Sequence, residues 1–166
     1  MIDNIQLLIE EMFSSCFISY SSKDDVFAKR LYQSLQSEGV RCWFAPHDMK
    51  GGLKSVDQIK DAIYKHEKLL LILSKDSLHS NWVATEIKNA RAQERLKGSN
   101  IFFPISIIPY DEIKNWELFD SDSGMDLAVE LRAYHILDFS KWMDKGDYEE
   151  MFARLLKDLS RTNLGG

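Results

Sequence analysis

Apolar residues recur along this chain in two alternating rhythms. Short runs that are apolar on both faces give way to stretches with apolar residues three and four apart. Residues 15–20, Ser-Cys-Phe-Ile-Ser-Tyr, predict a first strand. Phe27, Ala28, Leu31 and Leu35 then form the stripe of a helix, with Ser22 and Asp25 at capping-box spacing before it and Gly39 at its end. Residues 40–45 predict a second strand. Residues 46–52, with Pro46 and the pair Gly51-Gly52, predict a loop. Ser55 and Gln58 have the spacing of another capping box, and Val56, Ile59 and Ile63 are the stripe that follows.

Residues 68–74 are apolar throughout, as a central parallel strand covered on both sides requires. A polar bridge, Lys75 to His79, leads into a helix that opens near Trp82 and runs to about Lys97, where Gly98-Ser99-Asn100 breaks it. Residues 101–108 predict a fourth strand, with a bulge or an edge-facing site at Pro104, which has no N–H to donate. Residues 109–130 are acidic and poorly patterned. They predict a long loop with a short helix near Trp116 and another from Met125. Residues 134–139 predict a fifth strand, and Tyr148, Met151, Phe152, Leu155, Leu156 and Leu159 a strongly amphipathic last helix. Ahead of the first strand, Ile2, Ile5, Ile9, Met12 and Phe13 share one face of an amphipathic helix.

This order predicts an α/β fold: a flavodoxin-like, doubly wound, five-stranded parallel sheet in the order 2-1-3-4-5, with helices on both faces. The expected division is a helical extension over 1–14, one domain over 15–160, and a tail over 161–166. The switch point lies between strands one and three. The loop after Tyr20 and the stretch before Trp82 flank it. Trp82 and Glu86 are one turn apart on one helical face, about 6 Å along the axis. Val83, Ile87 and Ala90 form a different stripe that suits the core. An indole and a carboxylate are therefore expected on a flank the core does not need, where open α/β sheets keep their ligands.

Composition narrows the chemistry. The 166 residues are 45% hydrophobic and 28% charged, an ordinary globular profile, and enough for one full core. A net charge of −5 without a Lys/Arg block argues against nucleic acid as a partner. No apolar run reaches membrane-spanning length, and residues 1–5 lack signal-peptide features, so a cytoplasmic protein is expected. Cys16 and Cys42 have no CxxC spacing and read as reduced, buried thiols. His47, His66, His79 and His135 show no metal-ligand spacing, so no metal site is expected. There is no GxGxxG after the first strand, no GxxxxGK[ST] and no GxSxG.

Four stretches stand out. Residues 17–24, Phe-Ile-Ser-Tyr-Ser-Ser-Lys-Asp, resemble the first box of Toll/interleukin-1 receptor (TIR) domains. Residues 39–44, Gly-Val-Arg-Cys-Trp-Phe, resemble the family's second strand, and 46–52 its BB loop. Leu73-Ser74 with Ser80-Asn81-Trp82 and Glu86 resembles its SxWxxxE helix. The resemblance spans 15 to about 160 and is nearest to prokaryotic members. One departure is Ala45-Pro46, where many relatives carry an acidic residue; Asp48 is then the candidate in that loop. Some TIR domains cleave the nicotinamide–ribose bond of NAD, and others are adaptors that only assemble. The SxWxxxE match favours the enzyme, with Glu86 catalytic and NAD as substrate rather than resident cofactor. It implies substrate contacts from Tyr20, Ser21, Ser22, Asp24, Trp43, Asp48 and Trp82. It also implies self-association through TIR–TIR contacts that include the 46–52 loop, and a role in signalling or defence. The tail reads x-[DN]-L-x-x twice over 157–166, equally the start of a pentapeptide-repeat module or a fraying helix end.

Overall fold

The structure is a computed structural model, and it describes residues 12–47 and 66–161. Most of the expected N-terminal helix, the helix with Val56, Ile59 and Ile63, most of the 46–52 loop including Asp48, and the second repeat-like unit, 162–166, lie outside the described residues; the first unit, 157–161, is the end of the last helix and the two residues after it.

Five strands form one parallel sheet: β1 (Cys16–Ser21), β2 (Cys42–His47), β3 (Lys68–Leu73), β4 (Phe102–Ser106) and, after a small ribbon, β7 (Leu137–Asp138). Their order is β2-β1-β3-β4-β7, the order expected from the alternation of elements. Helix α1 (Asp25–Ser37) follows a 3-10 turn, Ser22–Asp24. Helix α2 (Lys75–Leu78) and helix α3 (Trp82–Lys97) follow β3. Helix α4 (Tyr110–Lys114), an antiparallel ribbon of β5 (Phe119–Asp120) and β6 (Met125–Asp126), and helix α5 (Leu127–Arg132) lie between β4 and β7. Helix α6 (Lys145–Leu159) closes the fold.

The pleat of β1 splits the core in two. Cys16, Ile18 and Tyr20 join Phe27, Leu31 and Leu35 of α1 and Leu155 and Leu159 of α6 on one face. Phe17 joins Leu69, Leu71 and Leu73 of β3 and Val83, Ile87 and Ala90 of α3 on the other. Alternation along a strand dictates this division.

Several boundaries differ from the expectation. The first helix is not capped by a Ser22/Asp25 box: Ser21 caps the 3-10 turn by accepting from the Lys23 N–H, and α1 starts after it. The backbone of β2 runs through Pro46 and His47, so the break after residue 45 is displaced. Proline is tolerated because β2 is the sheet's edge, where a missing N–H leaves no ladder bond unmade. Pro104 sits in an unbroken register opposite Leu71, without a bulge. The Ile107 N–H donates to Leu73, so ladder parity turns the Pro104 nitrogen the other way, toward β7, whose pairing begins only at Ile105. The fifth strand shrinks to Leu137–Asp138, which pair with Ile105 and Ser106 of β4, while the Tyr134 N–H still donates to the Leu131 carbonyl at the end of α5. The polar bridge after β3 is a one-turn helix held by a true capping box, Ser74 with Ser77.

The acidic segment is anchored rather than open. Lys88 of α3 pairs with Asp120 at 3.2 Å and Asp122 at 3.6 Å, and Arg91 with Glu130 at 3.0 Å. Trp116 is buried and donates its indole N–H to the Leu78 carbonyl at 3.1 Å. The expected helix near Trp116 ends just before it, at Lys114, and the one expected from Met125 begins at Leu127.

Candidate functional site

Helix α3 carries the site's carboxylate. It starts at Trp82 and stops at Gly98, whose φ of 65° is the left-handed conformation that favours glycine. Its buried stripe is Val83, Glu86, Ile87 and Ala90, at i, i+3, i+4 and i+7. Glu86 therefore does not lie on a spare flank, as its spacing from Trp82 suggests. It occupies a core position, with 1% of its surface exposed. A carboxylate there is costly unless it is hydrogen-bonded. The Ser19 hydroxyl donates to Glu86 Oε2, and Ser19 is itself fully buried. Ser19 sits two residues from the carboxyl end of β1, in register with Leu71 of β3 and Ala45 of β2. The pair thus stands beneath the switch point, between strands one and three.

Above it, two loops are tied together. The Ser74 hydroxyl, at the end of β3, donates to Asp24 Oδ2 in the turn after β1. Burial raises the Asp24 carboxyl above the usual carboxylate range, as does the charge of Asp76; the Ser74 bond acts against them.

The expected site residues do not all converge. Ser21 is buried and, by alternation, on the Glu86 side of the sheet. Ser22 is exposed in the turn, and Asp24 is half-buried beside Ser74. Trp43 is 48% exposed on the edge strand, edge-on to Phe17 at 5.4 Å and tilted to His66 at 6.0 Å. Tyr20, expected to face the crevice, points to the other side. It is fully buried, packs on Phe44 and donates to Asp25 at 2.9 Å. Trp82 is partly buried against the α3-side core, so much of the face expected to stack on a ligand is taken by packing. A cleft of about 410 Å3 opens beyond β3 and β4, lined by Lys75, Leu78, His79, Ile108, Glu112 and Trp116, and it does not include Glu86. Ser19 and Ser74 escaped the sequence reading as site residues. The available signal for Ser19 was a hydroxyl inside an otherwise apolar central strand.

Among the described residues no three His, Cys, Asp or Glu side chains group as a metal site, and no helix is long and apolar enough to cross a membrane. Cys16 and Cys42 are free thiols, register neighbours across β1 and β2. Burial raises both, Cys42 to about 12, so neither is a ready nucleophile.

The site is thus a buried carboxyl group of the third crossover, placed under the switch point of a doubly wound parallel sheet. The chain belongs to the TIR domain family, whose model matches residues 16–156. The TIR domain of the Toll-related receptor TRR-2 from Hydra magnipapillata superposes with a TM-score of 0.57 at 20% identity, covering 88% of this chain and 98% of that one. A metazoan TIR-STING receptor from C. gigas, solved in complex with 2',3'-cGAMP, gives a TM-score of 0.53 at 20% identity, over 78% of this chain and 36% of that one. The stimulator of interferon genes protein of Magallana gigas is 30% identical over 90 residues, 54% of this chain and 22% of that protein. The chain thus spans about a fifth of the curated relative it matches.

Proposed function

We propose that this TIR domain is an NAD glycohydrolase, breaking the nicotinamide–ribose bond to release nicotinamide and ADP-ribose or a cyclic variant. The observation that carries this reading is Glu86, a carboxylate built into a core stripe and held by Ser19 under the switch point. A protein accepts a buried carboxyl group at a position where leucine would serve stability better when that group has another use. Cleavage develops positive charge on the ribose, and a fixed carboxylate near that carbon lowers the barrier. The nicotinamide leaves as a neutral base from a cationic ring, so no general acid is needed. Water adds to the ribose in the hydrolytic outcome.

At 1% exposure Glu86 reaches no substrate in a single closed protomer. Activation by self-association is the natural complement, with a neighbouring copy opening or completing the crevice. A role in signalling or immunity is supported by the relative named stimulator of interferon genes. Glu86→Gln is expected to fold like the parent and to abolish nicotinamide release by concentrated, crowded protein. Equal release by parent and variant sinks the assignment.

The same burial favours a second reading, in which the Ser19–Glu86 pair is purely structural and the domain acts as an assembling adaptor. That reading requires no NAD loss at any concentration or crowding.

A further inference from the structure

Central strand β1 is buried at every position, with neighbours on both sides. On its α1/α6 face the side chains are Cys16, Ile18 and Tyr20, and on the α3 face Phe17, Ser19 and Ser21. Ser19 is fully buried with apolar Leu71 beside it in register. A hydroxyl placed there costs stability unless it is bonded. Its hydroxyl donates to a side chain 67 residues away, on a helix that packs over the sheet. An O–H donor on one oxygen of a carboxylate fixes the rotation of the whole group and leaves the second oxygen's direction set by geometry. The bond joins a fully buried central strand to the helix that carries the carboxyl group.

We infer that Ser19 is a positioning residue: through its hydrogen bond to Oε2 it aims the Glu86 carboxylate at the ribose. This rests on the glycohydrolase reading and adds a role to a residue in β1. Ser19 acts through Glu86 and does not itself touch substrate. Losing it leaves substrate affinity intact and misdirects the group on which the barrier depends, which costs on the order of 100-fold in rate for a displacement near 1 Å.

Nicotinamide release by the full chain, at a protein concentration where the parent turns over, separates the outcomes. Ser19→Ala is expected to lower kcat about 100-fold with KM within about two-fold, and Ser19→Thr, which keeps the hydroxyl, to restore most of kcat. Should the alanine variant fail to fold, Ser19→Cys fills the volume with a poor donor and is expected to resemble alanine in kcat. Unchanged kcat in Ser19→Ala, equal loss in Ala and Thr, a cysteine variant as fast as threonine, or a rise in KM at constant kcat each overturns the inference. An inactive parent instead removes the glycohydrolase reading itself, which keeps the two failures apart.

Discussion

The two faces of the sheet are built by different rules. The α1/α6 face is an aromatic and aliphatic core: Phe27 meets Phe139 edge-on at 5.5 Å and Trp142 at 5.4 Å, and Phe139 meets Tyr148 at 5.9 Å. Its buried phenols reach partners at the rim, Tyr20 on Asp25 and Tyr148 within 2.7 Å of Ser34. The α3 face begins the same way, with Phe17, Leu69 and Leu71, and then turns polar toward the strand ends at Ser19, Ser21 and Ser106. Glu86 answers that polarity from above. One face is apolar, and the other holds a buried carboxyl group among hydroxyls. The proposed site would require such a local conflict in an otherwise consistent fold.

Four substitutions sharpen that contrast. Phe27→Ala, on the apolar face, is expected to cost about 3–5 kcal/mol in urea unfolding, the loss typical of a buried phenyl. On the polar face, Ser19→Ala is expected to cost about 1–3 kcal/mol, because a buried acceptor loses a donor. Combining it with Glu86→Leu is expected to recover most of that loss, since removing both partners leaves an apolar stripe. Additive losses in that double variant would show the α3 face to be ordinary core. The smallest effect is expected from Asp24→Asn. Burial raises the Asp24 carboxyl in the folded state, so the fold prefers its protonated form. At pH 7 the charged form costs stability that Asn avoids, and the variant should melt slightly higher. As pH falls through the raised folded value, Asp24 takes up its proton and the two melting temperatures should converge. A gap that widens in acid would reverse the sign assigned to this group.

The alternation of strand-like and helix-like stretches was enough to order the sheet, because each run is short, punctuated and strongly periodic. The helix from Trp82 to Lys97 was legible at both ends approximately, since Gly98 supplies the left-handed stop. Edges were harder. Pro46 reads as a breaker, yet edge position removes its penalty, and residues 134–139 read as a full strand although only Leu137 and Asp138 pair with β4. The site was legible in part. Spacing from Trp82 points to Glu86 as a candidate but not to its burial, because three apolar residues complete a stripe without it. Its bond to Ser19 joins residues 67 apart and leaves no local periodicity. Tyr20 was placed with its neighbours by sequence adjacency, and the pleat sends it to the opposite face.

The chain enters and leaves this fold side by side. Phe13 bridges to Ser160, the Ser14 N–H donates to the Leu159 carbonyl at 3.0 Å, and Arg161 pairs with Glu67 just before β3. That clasp sits at the amino ends of the strands, the pole away from Ser21 and Ser74. A tether drawn through this doorway leaves the opposite pole clear.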